Sequence, residues 1–132
     1  MTAPSDRLRP HPADRFAGAE HLLDIPAQLR ALRAESKAGV HGHRQIALIH
    51  QGPVRLVLFA FEAGGAMRAH SAPGWVTIQS LRGSLTVGTA DARHVLHEGA
   101  LLSLAPGVRH DVQADAEADM LLGIYPEGPR DG

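Results

Sequence analysis

The stretches GGAMRAHSAPGWVTIQSLRG, residues 64–83, and GALLSLAPGVRH, residues 99–110, carry most of what this chain says about its shape. Each is a short apolar run set between turn signals. In the first, Gly64-Gly65 precedes a run ending at His70, Ala72-Pro73-Gly74 marks a turn, WVTIQSLR reads as a strand over 75–82, and Arg82-Gly83 turns the chain again. In the second, Glu98-Gly99 opens a strand over 100–105 and Pro106-Gly107 closes it. Between them lies SLTV, where Leu85 and Val87 alternate with Ser84 and Thr86, the period of two that marks a strand with one wet face.

Outward from there the same grammar continues. Strands are predicted at 44–50, 54–62, 66–70, 75–82, 84–88, 93–97, 100–105, 109–114 and 119–125, with a further turn at Gln51-Gly52-Pro53. Short strands at this spacing indicate an all-β sandwich or barrel and not alternating strands and helices. One helix is expected upstream. Asp24 can cap it, Pro26 sits where a missing N–H costs nothing, Leu29 and Leu32 share a face, and Gly39 is a plausible stop. The proline- and charge-rich residues 1–20 read as a flexible lead-in, 21–126 as a single barrel domain that includes the helix, and 127–132 as a flexible tail.

The 132 residues include 13 Lys+Arg against 14 Asp+Glu, a balance that argues against a nucleic-acid partner. There is no cysteine, which excludes disulfides, thiol catalysis and Cys-ligated zinc. No run of about 20 apolar residues exists to span a membrane, and charges at Asp6, Arg7 and Arg9 break any signal-peptide core, so a cytoplasmic protein is expected. No nucleophile elbow or phosphate-binding loop is found: Ser71 points away from His70 along a strand, and Gly64-Gly65 precedes a strand instead of a helix. Glu62 and Glu98 fall at strand ends, where solvated charge is the ordinary explanation.

The two quoted segments resemble the paired motifs of the cupin superfamily. Gly64, five residues, His70 and the closing Gly83 match the first motif, and Gly99, Gly107 and His110 match the second, with Pro106 displaced by one from its usual place. The resemblance covers roughly 42–125. It implies a single cupin-like jelly-roll barrel with a short N-terminal helix, and His70 and His110 as metal ligands pointing into the barrel. It also shows what is missing. Ala72 occupies the second histidine position, Val76 the glutamate position and Ala114 the asparagine that often follows the second motif. Two imidazoles remain for a divalent ion (Zn, Ni, Mn or Fe), which they would hold weakly.

Ala72 and Val76 are expected to widen and dry the pocket. Trp75 could lid it, pack between subunits or simply fill space. Gln79 is a further pocket candidate, although it is odd in parity relative to Val76 and would need a bulge to turn inward. Met67, three residues before His70, reads as opposite in parity and so as core filling or a dimer contact. Phe59 and Phe61 read as core. His41, His43 and His50 read as solvated or edge imidazoles, His94 as partly buried, and His11, His21 and His97 as incidental.

The function expected is binding of a small organic molecule in the barrel, with the divalent ion as an accessory. The alternative is a metal-dependent cupin oxygenase or isomerase. No catalytic residue is identified by the sequence. The resemblance also implies a homodimer formed through sheet faces or edges.

Overall fold

Asp24 starts the only helix among the described residues, α1 (Ile25–Arg33), by accepting a 3.0 Å hydrogen bond from the Ala27 N–H on Oδ1. The computed structural model describes residues 18–35, 38–39 and 41–127. Almost all of the expected lead-in, with His11, and almost all of the expected tail lie outside these residues. The helix stops earlier than Gly39 suggests. Ala34, still right-handed at φ −79° and ψ −10°, shares its N–H between the Arg30 and Ala31 carbonyls, so a tightened last turn satisfies the helix end without a glycine.

Nine strands follow: β1 (His43–Gln51), β2 (Val54–Phe61), β3 (Ala66–His70), β4 (Trp75–Arg82), β5 (Leu85–Gly88), β6 (Arg93–Leu96), β7 (Leu101–Leu104), β8 (His110–Gln113) and β9 (Ala118–Tyr125). They form two antiparallel sheets, one ordered β1-β2-β9-β4-β7 and the other β3-β8-β5-β6. The four glycines of the two motifs, Gly64, Gly83, Gly99 and Gly107, all have positive φ. At Gly83 the requirement is double, because a Cβ there would also come within 2.8 Å of the Glu117 carbonyl oxygen.

Alternation along the strands builds two apolar layers. Phe59, Val76, Ile78, Met120 and Leu122 of the first sheet meet Met67, Leu85, Val87 and Val112 of the second. On the outer side of the first sheet, Leu48, Leu58 and Ala60 receive Leu32 of α1, the residue the sequence pointed to, with Leu29 beside it. An ion cluster secures the same junction. Arg33 and Arg82 both bind the buried Asp119 carboxylate, Arg82 through Nε at 2.8 Å, while the Arg82 Nη2 reaches Glu117 at 2.9 Å.

A candidate histidine-pair site

His70 ends β3 and His110 begins β8, and the two stand opposite each other in the ladder. Met67 opposes Val112, so three steps along β3 correspond to two along β8. This bulge changes the parity of β3. Counting by twos puts Met67 and His70 on opposite faces, as expected from the sequence. The extra residue instead brings both to the face that packs between the sheets, which corrects that expectation while leaving Met67 in the core at 9% exposure.

The two imidazole centroids lie 4.4 Å apart, with the rings inclined by 59°. Each ring is fixed in the same way. His70 Nδ1 is 2.9 Å from the Arg68 carbonyl oxygen, within the bulge, and His110 Nδ1 is 3.0 Å from the Val108 carbonyl oxygen. A carbonyl can only accept, so each Nδ1 carries the proton and each Nε2 of the neutral ring presents a lone pair. His110 is 1% exposed, and its Nε2 has no hydrogen-bond partner among the described residues. Burial lowers the His110 pKa from its ordinary value, and the neighbouring His70 lowers it further. The Val108 carbonyl and, less strongly, Asp111 act the other way. The ring is therefore a neutral acceptor near pH 7.

Val76, 2% exposed, lies in register with Leu104 and Ile124, and both it and Ala72 belong to the interior layer that also holds Met67 and Val112. Trp75 and Gln79 are not brought to the pair. β4 alternates regularly from Trp75 through Ser80, and its register shift comes only between Ser80 and Arg82, too late to turn Gln79 inward. The Gln79 amide donates to the Gly99 carbonyl at 3.3 Å, and Trp75 stays 45% exposed opposite Tyr125.

A cleft of about 240 Å³ opens beside His110, lined also by Ala69, Gly88, Thr89, Ala90, Arg109 and Asp111 but not by His70. Asp111 belongs to its outer side. It faces Gly88 across the ladder, where a Cβ would come within 3.0 Å of the carboxylate, and it alternates with the inward His110 and Val112. Among the described residues, no three His, Cys, Asp or Glu side chains are grouped so that they could hold a metal. The donor set is two imidazole nitrogens, which does not fit a divalent centre built from three protein ligands.

Sequence reasoning missed His43. It does lie on the edge strand β1, as the reading of a solvated or edge imidazole allows, but it is not merely solvated: its ring packs on Phe59 and Phe61 at centroid distances of 5.1 and 5.4 Å, and its Nδ1 lies 3.2 Å from the Ala66 carbonyl oxygen. The register His43–Phe61 is the signal, and it appears only once β1 and β2 are paired.

No family model matches the chain. No curated protein matches it either. Solved structures do. A cupin superfamily protein from Desulfitobacterium hafniense superposes with a TM-score of 0.67 at 17% identity, over 86% of this chain and 96% of that one. A conserved protein of unknown function from Streptococcus pyogenes gives 0.64 at 18% identity, over 87% and 94%. An RmlC-like cupin from Shewanella frigidimarina gives 0.62 at 16% identity, over 68% and 82%.

Proposed function

From the premise that this chain has a cupin fold, we propose that it is a small binding protein whose centre is the pair His70 and His110. The ligand is a small organic molecule that enters by the cleft at Arg109 and Thr89 and donates a hydrogen bond to the pair. The observation that carries this reading is the His110 Nε2, an acceptor in the interior with no partner among the described residues. A buried acceptor left unpaired costs about 1–3 kcal/mol, and a ligand hydroxyl or N–H would recover it. The apolar Ala72 and Val76, in place of a histidine and a glutamate, suit an uncharged body on that ligand.

A thermal-shift panel of small hydroxyl- and amide-bearing compounds tests the proposal. A ligand at 100 times its Kd stabilises by about 2.7 kcal/mol, well within detection. The shift should vanish in His110→Gln. A panel without hits, or hits that persist unchanged in that variant, would reject the reading.

The second reading is a metal-dependent oxygenase or isomerase with a divalent ion on the same pair. It is supported by the Nδ1–H bonds to backbone carbonyls, which orient imidazoles as they are oriented in metal sites. The missing third donor weighs against it. Elemental assay of untagged protein decides: a near-stoichiometric divalent ion that disappears in His70→Ala would displace the first reading.

A homodimer is part of the proposal. It would form on the side of the first sheet where β7 is the edge strand and Trp75 and Leu101 are 45% and 60% exposed. Light scattering showing only the monomer mass would reject it.

A further inference from the structure

We infer that the cleft on the outer face of the second sheet is a seat for a small zwitterion, an α-amino acid in kind, with the ligand's ammonium on Asp111 and its carboxylate on Arg109. The inference goes beyond the binding function proposed above and shares only its cleft; it rests on no contact with either imidazole.

Three observations carry it. The cleft holds one charge of each sign, and neither is used by the protein. Arg109 and Asp111 both line it, they do not pair with each other, and among the described residues neither has any hydrogen-bond or ion-pair partner. The Asp111 carboxylate is also aimed. His110 and Val112 are buried on the inner face, so the half-buried Asp111 between them faces outward, opposite Gly88. Both its oxygens lie 3.0 Å from the point that a Gly88 Cβ would occupy. The missing side chain leaves open the space into which the carboxylate points. Arg93, opposite Gly88 on β6, stands across the same gap with Nη1 3.1 Å from that point, while its Nη2 donates to the Gln113 Oε1 at 3.2 Å. The third observation is size. The cleft, about 240 Å³, is smaller than the about 300 Å³ at which pockets for drug-sized ligands begin. Arg109 and Asp111 are two positions apart at the start of β8, about 7 Å between Cα atoms at the rise of a strand. An ammonium and a carboxylate on one carbon can bridge such a gap, with a charge-assisted hydrogen bond at each end.

Charge balance decides between ligand classes. A cation would satisfy Asp111 but face the guanidinium groups of Arg109 and Arg93, and an anion would satisfy Arg109 but face Asp111. A neutral molecule would cover both charges and pair neither. A zwitterion pairs both at once.

The full chain, labelled with ¹⁵N, is titrated with L-alanine, L-serine and L-leucine. Each is compared with its methyl ester, which keeps only the ammonium, and its N-acetyl derivative, which keeps only the carboxylate. Backbone amide shifts are followed to saturation or to the solubility limit. At least one amino acid should give saturable shifts centred on Gly88–Ala90 and Arg109–Asp111, with a Kd at least about 10-fold below that of both derivatives. Asp111→Asn should weaken the amino acid and the ester but not the N-acetyl form. Arg109→Gln should weaken the amino acid and the N-acetyl form but not the ester. Both positions lie outside the core, and either variant alone tests the assignment. The inference is overturned if no amino acid gives saturable shifts at these residues, if the derivatives bind as tightly as the amino acids, or if neither variant weakens binding. Neutral compounds that need His110, together with amino acids that move nothing, overturn this inference and leave the binding function standing. Amino-acid shifts that persist in His110→Gln, with no neutral compound bound by the parent chain, uphold this inference and reject the binding function.

Discussion

Burial and the adjacent His70 both oppose a positive charge on His110, and the single carbonyl bond from Val108 does not offset them. A base whose folded-state pKa lies below its unfolded value of 6.5 binds its proton first in the unfolded chain. Its effect on stability is therefore nil above about pH 6.5. Below that, stability falls with pH until the folded pKa is passed, with a slope of at most about 1.4 kcal/mol per pH unit. Urea midpoints measured between pH 5 and 8 should show this decline, and the decline should be shallower in His110→Gln. Equal slopes in the two proteins would contradict the account. A second residue-scale consequence lies at Gly74. A Cβ there would stand 1.9 Å from the Tyr125 carbonyl oxygen, a backbone atom that cannot swing aside. Gly74→Ala should lose about 1–3 kcal/mol of stability, read from the denaturation midpoint.

Among the elements, α1 and the start of β9 are held by charge as well as by Leu32. Asp119 is buried, yet its two arginine partners keep some water, with side-chain exposures of 23% for Arg33 and 47% for Arg82. Asp119→Asn strands two cations that are only partly desolvated, so the expected loss is about 2 kcal/mol, below the 3–5 of a fully buried pair. Arg33→Met, which removes one of the two cations, should lose less; a larger loss for Arg33→Met would show that the helix docks mainly through this side chain. None of this cluster was legible in the sequence. Its members stand at 33, 82, 117 and 119, and no periodicity links them. The strands were legible for the opposite reason. Gly and Pro punctuate them at short range, and runs such as Trp75–Arg82 and Val54–Phe61 carry their own limits. The pairing of His70 with His110 was readable as convergence, from the motif positions, but not as cross-strand adjacency, because the bulge in β3 leaves no mark on a count by twos. Gln79 shows the converse: its parity alone was the right guide, and no irregularity intervened.

For the molecule as a whole, the two sheets and the interior between them follow the arrangement seen in cupin superfamily structures over most of the chain. The site sits where the second sheet ends, on the edge strand β3 and its neighbour β8. No helix among the described residues is long and apolar enough to cross a membrane. The aim of His70 depends on β3 taking up one surplus residue as a bulge, between Met67 and the histidine. Deleting Ala69 should restore flat pairing with the imidazole two steps from Met67, still inward and opposite His110, but displace the bulge carbonyl that holds its Nδ1, so that the His70 Nδ1–H signal changes while the sheet signals persist. Unchanged signals would refute this. What holds the ring is thus a shape of the backbone and not a side chain. A scan that exchanges side chains one at a time, keeping the number of residues fixed, would pass over Arg68 and Ala69 as silent positions and never find what points the ring.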